Sequence, residues 1–188
     1  MKKEAIFVAL VLTTVMVSGA ETENNLLTNG GFENTKLEKG HISGWRHSDW
    51  GGVKDKGKTS ISIQNDAKEG KSAVKLTTTG KNRSNLILYQ NISKKIKPDK
   101  EYILTFSFKA DDKDAVGAFV GASVSIIGAD KGKRLLYKHA QRKTATEQWQ
   151  EIELSFTVPV KFNTASIILR ISKKGVIFDN AVLLEDQF

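Results

Sequence analysis

Tyr102-Ile103-Leu104-Thr105-Phe106-Ser107-Phe108-Lys109 decides the fold, because Tyr102, Leu104, Phe106 and Phe108 alternate with Ile103, Thr105, Ser107 and Lys109. A period of two sends alternate side chains to opposite faces of a strand, so this stretch reads as a half-buried β-strand. Outward from it, Ile152, Leu154, Phe156 and Val158 alternate with Glu151, Glu153, Ser155 and Thr157 in the same way. Strand-like runs also occur at 61–64, 73–77, 86–92, 119–127, 134–139, 165–171 and 176–184. Turn chemistry separates them: Asn29-Gly30-Gly31, Lys97-Pro98-Asp99-Lys100, Gly128-Ala129-Asp130-Lys131-Gly132 and Lys173-Lys174-Gly175. About ten short strands with no helical period predict an all-β chain, an antiparallel β-sandwich of the jelly-roll kind.

The 188 residues are 39% hydrophobic and 27% charged, with a formal net charge of +8, the composition of one ordinary globular domain. The absence of cysteine excludes a disulfide scaffold, thiolate metal sites and cysteine nucleophiles together. Lys2 and Lys3 precede an apolar run from Ala5 to Val17, and Ser18-Gly19-Ala20 supplies small residues for cleavage after Ala20. Residues 1–20 are therefore expected to be a signal peptide and residues 21–188 the mature domain, whether secreted, periplasmic or at the cell surface. The apolar run falls short of the about 20 residues that span a bilayer, so no membrane span is expected in the mature chain. Loss of Lys2, Lys3 and Glu4 lowers the charge by one, leaving +7 on the domain. That charge attracts anionic partners. Export removes the usual nucleic-acid targets, so the charge reads first as a solvated face, with an acidic polysaccharide or an anionic cell surface as the alternative partner.

Catalytic motifs do not survive their context. Gly52-Val53-Lys54-Asp55-Lys56-Gly57-Lys58-Thr59 satisfies the phosphate-loop pattern, but an alternating strand, Ser60-Ile61-Ser62-Ile63, follows where a helix N-terminus is required. His41, His47 and His139 form no metalloprotease pair and are read as surface residues. Glu151 and Glu153 lie on the solvent face of their strand. Asp111, Asp112 and Asp114 could hold a cation, although a solvated turn is the commoner outcome. Trp50, set among Arg46-His47-Ser48-Asp49 and Gly51-Gly52, sits in a polar loop that suits a ring exposed to ligand better than a core ring.

Several segments, in order, resemble one family. Asn25-Leu26-Leu27-Thr28-Asn29-Gly30-Gly31-Phe32-Glu33, Gly44-Trp45 and Gly70-Lys71-Ser72-Ala73-Val74-Lys75-Leu76 resemble the opening of CenC-like carbohydrate-binding modules, families four, nine, sixteen and twenty-two. Tyr89-Gln90-Asn91-Ile92 with Lys97-Pro98-Asp99-Lys100-Glu101-Tyr102-Ile103-Leu104 is similar to the group's central turn and strand. Trp149-Gln150-Glu151, Phe156-Thr157-Val158-Pro159 and Ile177-Phe178-Asp179-Asn180-Ala181-Val182 resemble its last strands.

The resemblance implies a jelly roll that binds a polysaccharide or oligosaccharide without cleaving it, in a cleft across one sheet. Such modules usually accompany a polysaccharide-degrading enzyme, whereas this chain carries no catalytic domain. Sugars offer hydroxyl rims and apolar C–H faces, which call for aromatic platforms and polar side chains. Trp50 is the leading platform, and Trp45 is more often structural in the family's Gly-Trp position. Ser166 and Arg170 share the strand face opposite Ile167, Leu169 and Ile171, and the resemblance assigns such a pair polar contacts to the ligand. Asn85, Tyr89 and Gln90 are further candidates, with Gln90 on the opposite strand face from Asn85 and Tyr89. A structural calcium is implied as well, held by Glu33 and Asp179 with backbone carbonyls near Gly31 and Lys71. Two other classes stay open: a structural or adhesive surface protein that contacts another protein, and a small glycan-active enzyme, which would need a carboxylate pair in its groove.

Overall fold

A computed structural model describes residues 24–49, 59–78, 86–130, 132–172 and 175–187. Among these residues there are thirteen strands and no helix: β1 Leu37–Glu38, β2 His41–Ile42, β3 Arg46–Asp49, β4 Thr59–Gln64, β5 Ala73–Thr78, β6 Leu86–Asn91, β7 Glu101–Ala110, β8 Phe119–Ile127, β9 Arg134–His139, β10 Lys143–Thr144, β11 Gln150–Thr157, β12 Thr164–Ile171 and β13 Val176–Glu185. They form two antiparallel sheets and a small β1–β2 ribbon. The first sheet runs β11-β7-β13-β5-β4; the second runs β8-β12-β6-β3, with β9 and β10 both paired to β8.

Tyr102, Leu104, Phe106 and Phe108 of β7 are fully buried, and Ile152, Leu154 and Phe156 of β11 join them in the core between the sheets. β7 and β11 pair in register from Gln150↔Phe108 to Thr157↔Glu101, so both apolar sets face the same way. Each large side chain buried in this way contributes roughly 1.5–3 kcal/mol. The second sheet supplies Val120, Ala122, Val124 and Ile126 of β8 and Ala165, Ile167, Leu169 and Ile171 of β12. The period-two reading of the sequence is thus the architecture itself.

One segment departs from it. Arg46–Asp49, expected as a loop, is an edge strand paired to β6 from Arg46↔Tyr89 to Asp49↔Leu86. An edge strand needs only one hydrogen-bonded neighbour and has no apolar alternation to announce it.

The N-terminal segment is tied to both sheets. Asn25 Nδ2 donates to the Ala181 carbonyl at 2.9 Å, its Oδ1 accepts from Leu183 N–H at 3.0 Å, and Leu26 N–H donates to the Leu183 carbonyl at 2.9 Å. Gly30 fits because a Cβ there would stand 2.0 Å from the Ala181 carbonyl oxygen. The pairing of β13 shifts register between Asp179 and Val182, at the point where this segment docks.

Candidate functional site

Small side chains on the outer face of β8 leave a trough across the second sheet. Gly121, Ser123 and Ser125 alternate with the core residues Val120, Ala122 and Val124, so the middle of this face of β8 carries only small side chains, and those of its neighbours close over Ser123, which is fully buried. Tyr137 and His139 of β9 stand opposite Ser125 and Ser123 along one side. Ser166, Ile168 and Arg170 of β12 stand opposite Ser125, Ser123 and Gly121 along the other. Two cavities lie along this face and share no described lining residue. The larger, about 360 Å³, is lined by Ser48, Ile87, Tyr89, Arg134, Ser166 and Ile168 together with Ser125 and Ile127. The smaller, about 110 Å³, is lined by residues that include Phe119, Gly121, His139, Arg142, Arg170 and Ser172.

Arg170 and Tyr137 meet across β8, the guanidinium Nη2 donating to the phenol oxygen. The Arg134 guanidinium lies 4.3 Å and that of Arg170 5.7 Å from the Tyr137 ring centre. The His139 ring meets Tyr137 edge-on at 4.3 Å. Burial, followed by the charges of Arg170, Arg142 and Arg134, holds the His139 imidazole below its ordinary pKa. Ser123 Oγ is buried on this face with no hydrogen-bond partner among the described residues. No carboxylate is among the described residues that line either cavity.

Of the residues singled out in the sequence, Tyr89 and Ser166 line the larger cavity and Arg170 the smaller. Trp50 and Asn85 lie outside the described residues. Gln90 does not reach the groove: it is 4% exposed on the core side of β6, its Oε1 accepting from Thr28 N–H at 2.8 Å and its Nε2 donating to the Thr28 carbonyl at 3.0 Å. Trp45 is a core residue, packed against Phe32 at 5.5 Å and donating from Nε1 to the Asn29 carbonyl at 3.1 Å. His41 and His47 are not simply surface residues, since their Nδ1 atoms stand 3.0 Å apart. In the acidic turn, Asp111 pairs with Lys75 at 2.7 Å and Asp112 Oδ1 accepts from Ala115 N–H at 2.9 Å.

The sequence reading missed Phe119, Arg134, Tyr137, His139 and Arg142. Phe119 carried a legible signal: it opens a strand on the face shared by Gly121, Ser123 and Ser125, where no core awaits it, and it is 57% exposed.

Glu33 and Asp179 face the loop that leads into β5. Glu33 Oε1 accepts from Lys71 and Ser72 N–H at 2.8 and 3.0 Å; Asp179 Oδ2 accepts from Lys68 and Glu69 N–H at 2.7 and 3.0 Å. Gly70, at φ +68°, has no room for a Cβ, which would stand 2.3 Å from Glu33 Oε1. Burial, and to a lesser degree the charge of Glu33, pushes the fully buried Asp179 carboxyl up to about 6 against three backbone N–H donors. Carboxylate oxygens are the kind of donor that a hard divalent cation takes, but the contacts to these two come from backbone N–H groups, and the described residues bring no third His, Asp or Glu to the pair. Lys71 contributes its N–H to Glu33 here. Gly31 lies beside the Glu33 side chain.

A carbohydrate-binding-domain family matches residues 24–175. No curated protein sequence matches the chain. Among solved structures, a domain of tailspike protein 4 of bacteriophage CBA120 superposes with a TM-score of 0.62 at 17% identity, over 86% of this chain and 21% of that one. This chain thus spans about a fifth of that protein's length. TmCBM61, solved in complex with β-1,4-galactotriose, gives 0.56 at 19% identity over 86% and 99% of the two chains. The CBM22-1 xylan-binding domain of Paenibacillus barcinonensis Xyn10C gives 0.61 at 11% identity over 86% and 91%. At these identities the structures establish a shared fold, and the family match over residues 24–175 carries the assignment: the chain belongs to the carbohydrate-binding-domain family.

Proposed function

We propose that this protein is an exported, non-catalytic carbohydrate-binding protein that holds a polysaccharide or oligosaccharide chain in the groove over β8. The observation that carries the reading is the trough itself, in a chain of this family: aromatic Tyr89 and Phe119 offer faces to sugar C–H groups, while Ser48, Ser125, Ser166 and the arginines offer hydroxyl-binding groups. A groove with a polar rim suits a sugar chain better than the flat apolar patch that a protein partner would call for. Hydrolysis would need a carboxyl pair across the groove, and the described lining offers none. The net charge of +7 on residues 21–188 favours acidic chains among the ligands. Residues 1–20 direct export and are removed after Ala20, which mass measurement of the exported protein would show.

In the same reading, Glu33 and Asp179 hold a structural calcium that pins the segment after Phe32 and the loop before β5 to β13. When bound, the ion supplies positive charge to two neighbouring carboxylates; the chain's own amides orient them. Affinity electrophoresis and a glycan array spanning neutral polysaccharides, xylan and β-1,4-galactan among them, and acidic ones test the function. Retention on at least one class is expected, and a protein retained by no glycan would refute it.

A further inference from the structure

We infer that the smaller cavity of the groove is an anion seat, in which the guanidiniums of Arg142 and Arg170 take an acidic group carried on the sugar chain, a uronate carboxylate or a sulfate ester. This rests on the groove being the glycan site. Only five of the 29 basic residues are arginine, and two of those, Arg142 and Arg170, line the smaller cavity beside His139, while Arg134 lines the larger. They arrive from separate places in the chain: Arg134 opens β9, Arg142 lies between β9 and β10, and Arg170 sits in β12. Solubility asks only for positive charge, which the lysines supply. A planar fork with five fixed donors is what matches the paired oxygens of a carboxylate or sulfate.

The partners of the cations point the same way. Some lysines elsewhere find carboxylates, Lys75 pairing with Asp111, Lys109 with Asp66, and Lys97 and Lys100 with Glu185, while others stay solvated. Among the described residues neither Arg134 nor Arg142 has an ion pair; Arg134 lies instead against the face of Tyr137. Arg170 donates to the Tyr137 hydroxyl, and an oxyanion is a stronger acceptor for a guanidinium than a hydroxyl is. Holding like charges together is unfavourable, and it is relieved when a negative group enters.

The test compares the full exported protein on polygalacturonate and on the same polymer after carboxyl reduction, with dextran sulfate and dextran as a second pair, at about 0.15 M salt. Affinity for at least one acidic polymer is expected to exceed that for its neutral counterpart by roughly tenfold or more, the worth of a charge-assisted contact. Which pair shows the preference tells carboxylate from sulfate. Arg142→Gln should lose most of that preference. Lys94→Gln, which removes the same charge from an exposed turn outside the groove, should change it by no more than about twofold, as for an exposed surface charge. Both variants should melt with the wild type. Equal affinity within both pairs, or equal losses in the two variants, would overturn the seat. Binding to neutral polymers alone would overturn the seat and leave the glycan reading standing, whereas no binding to any polymer would overturn both.

Discussion

Gln90→Leu should cost this protein stability and leave glycan affinity alone. The side chain is 4% exposed on the core side of β6, and Leu occupies similar space. What Leu cannot do is replace the bonds to the Thr28 amide at 2.8 Å and the Thr28 carbonyl at 3.0 Å, or the contact from Lys95 Nζ at 3.2 Å. Each neutral hydrogen bond is worth about 1 kcal/mol net, and stranding a partly buried backbone donor adds to that, so a total of about 2–3 kcal/mol is expected. For a domain of this size 1 kcal/mol moves the midpoint by about 2–4 °C, which places the loss at roughly 4–12 °C. Thermal unfolding read by circular dichroism measures the shift, and affinity electrophoresis on the preferred glycan measures the binding. An unchanged melt with lost binding would show that Gln90 serves the ligand, and the placement of this side chain in the fold would be wrong.

Excess chelator should lower the melting midpoint by about 5–10 °C and added calcium restore it, since an ion at 100 times its dissociation constant stabilises by about 2.7 kcal/mol; an unaltered melt with no metal found by elemental analysis would refute the calcium. Phe119→Ala should change stability by no more than about 0.5 kcal/mol, because the ring is 57% exposed. Its glycan affinity should fall about three- to tenfold through the lost stacking face, and wild-type affinity would remove Phe119 from the site. The His139 imidazole, followed by NMR, should titrate below 6.5 and move upward in Arg142→Gln, because burial and three arginine charges all oppose its protonation. With the folded value depressed, its contribution to stability is present above about 6.5 and is lost as pH falls through the folded value. A titration at or above 6.5 would contradict the placement of those charges.

The strands were legible where one face is buried. β7, β8, β11 and β12 announce themselves because every second residue must be apolar to reach the core. β3 was not legible, since Arg46-His47-Ser48-Asp49 owes its conformation to hydrogen bonds from β6, some forty residues away. The groove was legible in part for the same reason. Alternation alone places Ser166 and Arg170 together on one face of β12, but nothing local says that Tyr137 and His139 lie across β8 from them. That needs the β8–β9 and β8–β12 registers at once. Gln90 shows the converse: its residue type suits a sugar, and only its backbone partner, 62 positions earlier, shows that it is already engaged.

The clasp between Asn25 and β13 bears on how the domain can be joined to something else. Leu26 and Leu183 share a backbone hydrogen bond on the β13 side of the sandwich, while the trough lies on the outer face of the other sheet. Leu26 and Leu183 therefore sit side by side on the sheet that does not carry the groove. The unit can be spliced as a cassette into an exposed loop of a carrier, with short joints on each side, and still present its groove outward. A load between those joints falls first on the Leu26–Leu183 contact and the Asn25 side chain, so under tension the clasp should part before the paired strands of the groove sheet.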